Sequence, residues 1–217
     1  MPFNLLHPLE LNRSSMFCIK KICLSLFLSA LISSVTVQAD QSPYIKANFD
    51  LEEPQNTQWI WVDTKHKKVQ LMDKDTPLMV FNNAAFGQGG VGLKRKRGDN
   101  ITPKGIYTIG WNNDRSDFRN FFGLTYPSIQ DAQNGLARGL IDENEYQAIV
   151  KAHMEHKVPP QNTALGGSVG IHGLGTPLRR VQKHRTSNWT EGCVALTNQQ
   201  IDELAMHVKT GMSVVID

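Results

Sequence analysis

Two short runs, residues 58–63 (QWIWVD) and 68–73 (KVQLMD), flank a polar turn, Thr64 to Lys67, and confine this part of the chain to a β-hairpin. The first run is rich in residues that suit a pleated, half-buried surface. The second alternates polar and apolar, the period of side chains that point to opposite faces. A third run, 77–86, is more continuously apolar and reads as a strand buried on both faces. Strands are also expected at 106–111, after a turn at Thr102-Pro103-Lys104-Gly105, and at 212–216. The aromatic stretch Phe121 to Pro127 reads as core.

Texture changes at residues 128–160, which read as a helical insertion. Asp142 with Glu145 three residues on is a capping box. Tyr146, Ile149, Val150 and His153 then fall at i, i+3, i+4 and i+7, so His153 shares the apolar face, and Pro159-Pro160 stop the helix. Thr197 with Gln200 is a second capping box. It opens a late helix whose apolar face is Ile201, Leu204, Ala205 and Val208 and whose stop is Gly211. Residues 87–100, glycine-rich and then basic at Lys94-Arg95-Lys96-Arg97, read as a solvated loop, or as a contact with an anionic wall polymer. The chain has no internal repeat. The expected fold is mixed and mainly β, with a helical insertion and a late C-terminal helix.

Residues 1–39 read as a signal peptide. Lys20 and Lys21 form a basic start, residues 22–37 are apolar with small residues, and Val37-Gln38-Ala39 is a cleavage site. Met16 is an alternative start. The apolar run falls short of the ~20 residues of a spanning helix, so no stable membrane span is expected after cleavage, an uncleaved anchor being the alternative. Residues 40–57 read as a flexible arm and 58–217 as one domain. A net charge of +3 makes no demand for nucleic acid. Two of the three cysteines, Cys18 and Cys23, go with the leader. Neither has the small-residue context of a lipoprotein site. Cys193 is then the single cysteine of an exported protein, either a reactive thiol or one half of an intermolecular bridge.

That thiol has a partner in the sequence. Ile171-His172-Gly173 precedes Thr190-Glu191-Gly192-Cys193-Val194, with a basic, polar segment, Thr176 to Trp189, that reads as one long loop between them. Thiol attack on a carbonyl needs a base, for which His172 stands ready, and backbone N–H groups to hold the oxyanion, for which Gly192 lets a substrate approach closely. The plain alternative is a packed cysteine and a satisfied core histidine. His153 and His156 are three apart, but no third ligand stands at a metal-binding spacing, so no metal or cofactor is expected.

The domain resembles the L,D-transpeptidase (YkuD-type) catalytic domain over residues 58–217. The resemblance rests on the 59–86 strands, Thr102-Pro103-Lys104-Gly105-Ile106-Tyr107, Tyr126-Pro127, Leu165-Gly166-Gly167 through Ile171-His172-Gly173, and Trp189-Thr190-Glu191-Gly192-Cys193-Val194. It implies a β-sandwich fold and acyl transfer on peptidoglycan stem peptides; the expected signal peptide sends the chain to the periplasm or cell envelope. Cys193 matches the nucleophile, His172 the base, the Gly173 carbonyl the group that orients the base, and Thr190 the hydroxyl residue before the glycine. The N–H groups near Gly192 and Cys193 match the oxyanion donors. Two positions depart from the family pattern. Glu191 stands where a second histidine is common, and a carboxylate facing inward would raise the thiol. Ala195 stands where an arginine is common. Arg179, Arg180 or Arg185, with Trp189, must then bind the substrate, or its preference differs; each arginine alone also reads as a solvated charge.

The expected reaction is thiolate attack on the diamino-acid carbonyl of a tetrapeptide stem, loss of D-alanine, and transfer of the thioester to an amine, with an imidazolium nearby increasing the thiolate. Water as acceptor would make a carboxypeptidase, and a non-catalytic wall-binding domain is the third reading. The 128–160 insertion is either a lid over the site or a decoration packed on the sheet. The sequence sets no oligomeric state.

Overall fold

The computed structural model describes residues 57–217; the expected leader, the alternative start and residues 40–56 of the arm lie outside the described residues. Strands β1 (Gln58–Asp63) and β2 (Lys68–Asp73) form the expected hairpin, in antiparallel register from Gln58↔Asp73 to Asp63↔Lys68. Ile60 and Val62 point into the core opposite Leu71 and Val69. The tryptophans take the other face and anchor by their indole N–H groups, Trp59 to the Lys74 carbonyl at 2.7 Å and Trp61 to Asp217 Oδ1 at 2.9 Å.

The third run corrects an expectation. Strand β3 covers only Thr76–Asn82 and lies at the sheet edge, with Leu78 and Val80 exposed and Phe81 alone buried. Asn83, at φ 61°, takes the left-handed conformation that ends the strand. The chain then re-enters with Ala85 bridged to Ala195 on the far side of the fold. Apolar continuity over 77–86 therefore joined an edge strand to a buried crossing.

Two short strands, β4 (Val91–Gly92) and β5 (Thr102–Pro103), pair in parallel where a turn was expected at residues 102–105. Strand β6 (Gly105–Ser116) runs well past the expected 106–111 and organises the sheet. Its first half pairs with β10 (Ser213–Ile216), which lies parallel to β1. Its second half pairs with β7 (Arg119–Leu124). Strand β8 (Gly170–His172) follows antiparallel to β7, and β9 (Val194–Ala195) parallel to β8. The order is β3-β2-β1-β10-β6-β7-β8-β9. Register shifts between Ile109 and Trp111 and between Asn113 and Ser116 bend β6. The sheet thus doubles over, and its two halves share one core. Ile60, Leu71 and Val214 come from one half, Phe122, Ile171 and Val194 from the other. Burial of each such side chain contributes roughly 1.5–3 kcal/mol. This is the mixed, mainly β architecture expected, with the sandwich halves joined through one long strand.

In the insertion, α1 (Ile129–Ala137) is capped by Ser128 and Asp131 and α2 (Glu143–Met154) by the expected Asp142–Glu145 box. Helix α2 ends at Met154, before Pro159-Pro160. Both helices close on their own small cluster, Ala132, Ile141, Ile149 and Leu165. His153 places Nε2 2.8 Å from the Pro127 carbonyl, while His156 lies beyond the helix at φ 51°. Helix α4 (Asn198–Ala205) starts at the expected Thr197–Gln200 box and buries Ile201 and Leu204. It ends before Gly211, whose φ of 88° serves the turn into β10.

The segment 176–189 is not a loop. Leu178–Thr186 is helix α3, entered through Pro177. Its composition hides it, because polar and basic side chains leave no apolar stripe to read. Lys183, His184 and Arg185 in its last turn suit the negative end of the helix dipole. No helix among the described residues is long and apolar enough to cross a membrane.

Candidate active site

Strands β8 and β9 place the two chemistry-bearing side chains. Parallel pairing sets His172 opposite Ala195 and Ile171 opposite Val194. Cys193 lies two residues before Ala195, so it shares a face with His172, one step along the ladder. Ile171 and Val194, both fully buried, point the other way and fix that ladder in the core. Across the other edge of β8, Phe121 pairs with His172, so it too faces the cleft.

His172 is 2 % exposed and packed among aromatic rings. Phe118 stands 4.4 Å away between centroids, Trp189 meets the imidazole edge-on at 5.9 Å, and Phe121 stacks at 6.0 Å. Its Nδ1 lies 2.6 Å from the Gly173 carbonyl oxygen. A carbonyl only accepts, so Nδ1 donates and carries the proton. Nε2 then presents a bare lone pair. Burial pulls this histidine down to about 4, against the Gly173 hydrogen bond, with Arg180 and His184 adding to the pull. At neutral pH it is an uncharged imidazole.

The cysteine turn is held by Thr190, whose hydroxyl donates to the Cys193 carbonyl at 2.6 Å and accepts from the Gly192 N–H at 3.2 Å. Gly192 has φ 134°, and a Cβ there would sit 2.9 Å from the Ile101 carbonyl oxygen, so only glycine fits without a shift. The Gly192 N–H is therefore engaged by Thr190 in this structure. Cys193 Sγ lies 3.4 Å from the Ser168 carbonyl, and among the described residues no hydrogen bond joins it to His172. Although Cys193 keeps part of its surface open to the cleft, desolvation pushes its thiol up to about 11; a Gly170 N–H and the Lys94 charge act downward, and Glu191 upward. With the thiol high and the imidazole low, both are neutral at rest. The expected help from an imidazolium is not present in this state.

Both residues open into a cleft of about 820 Å³. Of the tentative substrate residues, Arg179 and Trp189 line it. Arg180 lines it too but is committed locally. It donates to the Asp117 and Leu174 carbonyls, and its guanidinium lies 4.1 Å from the Phe118 ring centroid. Arg185 is exposed on α3 and is not part of the lining, a correction that follows from the helix: 185 faces away from 179 and 183. Lys183 lines the cleft in its place. Ala195, where the resembling family commonly has arginine, is fully buried with Ala85 and Leu174 under Val181 and Trp189. Helix α3 thus fills that space and brings its own cations. Glu191 is exposed at the cleft rim.

Neither α1 nor α2 lines the cleft; the segment after them, from Gln161 to Val169, does. The insertion is a packed decoration rather than a lid. The basic loop is also corrected. Lys94 is 6 % exposed and pairs with Asp99 at 2.6 Å, and with Arg97 it lines the cleft. The sequence reading missed Lys94, Asp99, Phe118 and Ser168. The acid five residues after Lys94, inside a glycine-bearing loop, was the available signal for the pair.

The family model for the L,D-transpeptidase catalytic domain (YkuD) matches residues 57–216, and the chain belongs to that family. Among solved structures it is similar to an L,D-transpeptidase from Mycobacterium smegmatis (10% identity, TM-score 0.43, covering 74% of this chain and 58% of that one). It is also similar to the helical cell shape determining protein Pgp2 from Campylobacter jejuni (18%, 0.48, 74% and 47%) and to Bd1075 from Bdellovibrio bacteriovorus (18%, 0.46, 75% and 48%). The chain spans about half to three fifths of the length of these proteins. No curated protein matches it.

Proposed function

We propose that this chain is an exported cysteine L,D-transpeptidase that works in the periplasm or cell envelope on peptidoglycan stem peptides. The observation that carries the reading is the tautomer of His172. With Nδ1 donating to Gly173, Nε2 is free to accept a proton on the face it shares with Cys193. The reaction requires the Cys193 side chain to turn away from the Ser168 carbonyl so that the thiol meets Nε2. The S–H proton passes to Nε2 and the thiolate adds to the carbonyl carbon of the diamino-acid residue. The Cys193 N–H, with the Gly192 N–H once released from Thr190, holds the oxyanion. The imidazolium returns the proton to the amine of D-alanine, which leaves, and a thioester remains on Cys193. An amine then attacks the thioester, giving a crosslink or attaching another protein to the wall. Arg179, Lys183 and Arg97 offer the cleft wall three cations for the stem carboxylates, and none of them takes part in the described salt bridges.

A second reading, an L,D-carboxypeptidase with water as acceptor, is favoured by one observation. No residue of α1 or α2 covers the cleft, so water reaches the thioester. Chromatography of products from a purified tetrapeptide muropeptide separates the two: crosslinked dimer marks transfer, tripeptide without dimer marks hydrolysis. A folded wild-type protein that gives neither would leave a non-catalytic wall-binding domain as the better reading.

A further inference from the structure

Lys94 is a buried cation of the cleft to which the proposed reaction assigns no task. Its side chain is 4 % exposed, and Asp99, at 7 %, is its partner. Asp99 is the hub of the loop. Besides Lys94 it accepts from the N–H groups of Arg95 at 2.6 Å, Lys96 at 3.0 Å and Ile101 at 3.0 Å. Those bonds overcome burial and hold its carboxyl down at about 2. The ammonium is thereby fixed where the cysteine turn crosses the loop. A Cβ built on Gly192 would lie 3.8 Å from Nζ, and one built on Gly166 3.5 Å from Cε. A buried ion pair is weak support for stability, since apolar residues of like volume commonly serve as well. Its placement against Gly192, the residue that precedes the nucleophile, calls for another explanation.

We propose that Lys94, braced by Asp99, is the charge partner of the Cys193 thiolate, stabilising the negative sulphur at the moment His172 takes its proton. This rests on Cys193 being the nucleophile. In the step, the S–H bond breaks, an N–H bond forms at His172 Nε2, and Lys94 keeps all its protons. Lys94 is a positioning residue: it acts through the sulphur's charge. At rest His172 is neutral and offers the sulphur no cation before the transfer, whereas the Lys94 ammonium is already in place. The other charges lining the cleft are Arg97 from the same loop, Glu191 from the cysteine's own turn, and Arg179, Arg180 and Lys183 from α3. Of the cleft's cations, Lys94 acts on the thiol most directly, pulling it down against burial, while Glu191 opposes it.

The test is the pH dependence of Cys193 alkylation in the full chain. A short iodoacetamide pulse is followed by peptide-resolved mass spectrometry, so that Cys18 and Cys23 do not interfere. Lys94→Met should move the midpoint up by about one unit or more and slow alkylation at neutral pH about tenfold, with Lys94→Arg close to wild type. The double variant Lys94→Met/Asp99→Asn, which leaves no orphaned buried carboxylate, should shift the same way and serves if the single variant does not fold. A folded variant without Lys94 whose midpoint stays at the wild-type position overturns the proposal. Muropeptide acylation, run on wild type alongside, keeps the two claims apart. Wild type that acylates, with an unmoved variant midpoint, removes only the role of Lys94. Wild type that never acylates removes the proposed reaction and this proposal with it.

Discussion

At His172, burial and one carbonyl set both charge and tautomer. The Gly173 oxygen accounts for the Nδ1 proton, and the aromatic enclosure keeps water from stabilising a second one. The folded imidazole titrates near 4 against an ordinary value of 6.5, so the unfolded chain binds this proton more readily. Stability contributed by the neutral ring is full above about pH 6.5 and falls as pH drops towards 4, by roughly 3 kcal/mol. Urea denaturation at about pH 7 and about pH 4 should show that loss in wild type and not in His172→Asn. Equal losses would mean that the ring is not held neutral. The pairing of Cys193 with His172 was legible in the sequence because Cys193 is the one cysteine outside the expected leader, which narrows its options. Lys94 was not, since a run of four basic residues has the same appearance whether one of them is buried or none is. Burial of Lys94 depends on Asp99 and on the Gly192 turn, which is remote in sequence and adjacent only after folding.

Among the elements, α4 does more than cover the core. Asn198, in its first turn, accepts from the Leu174 and Gly175 N–H groups at 2.8 and 2.9 Å and donates to the Gly175 carbonyl at 2.8 Å. It thereby splints the chain just after His172 and Gly173. Asn198→Ala leaves two N–H groups without their acceptor. It should cost about 1–3 kcal/mol in urea denaturation and lower the acylation rate as the Gly173 carbonyl loosens. An unchanged rate at reduced stability would confine Asn198 to a structural role. Capping boxes located α2 and α4 from sequence because they are local hydrogen bonds between residues three apart. Helix α3 has no side-chain cap and no apolar stripe, and it forms under tertiary contacts. Val181 packs at the Ala195 cluster, Arg180 on Phe118, and the Trp189 indole N–H reaches His184 Nδ1 at 3.4 Å. Strand β3 was overextended for the converse reason: hydrophobicity continued past Asn82 while the backbone did not.

Across the whole molecule, one long strand joins two half-sheets, and the C-terminal strand β10 is built into the middle of the sheet between β1 and β6. The cleft formed at the β8–β9 end gathers Arg97, Arg179, Arg180 and Lys183 around the cysteine, with Glu191 at the rim. A chain of small net charge thus presents one strongly positive cavity, a distribution that composition averages away. Screening should therefore weaken capture of an anionic stem: KM should rise about threefold or more between ~50 mM and ~500 mM salt with kcat little changed. Stems with amidated carboxylates should show a smaller change, and a salt-independent KM would remove the cations from substrate capture. The most direct test of the central claim is intact-protein mass spectrometry of wild type and Cys193→Ala after incubation with a tetrapeptide muropeptide, with a carbapenem as a second acylating probe. The account predicts an acyl adduct and D-alanine release in wild type and neither in the variant. An adduct that persists in Cys193→Ala, or none in folded wild type with either probe, would contradict it.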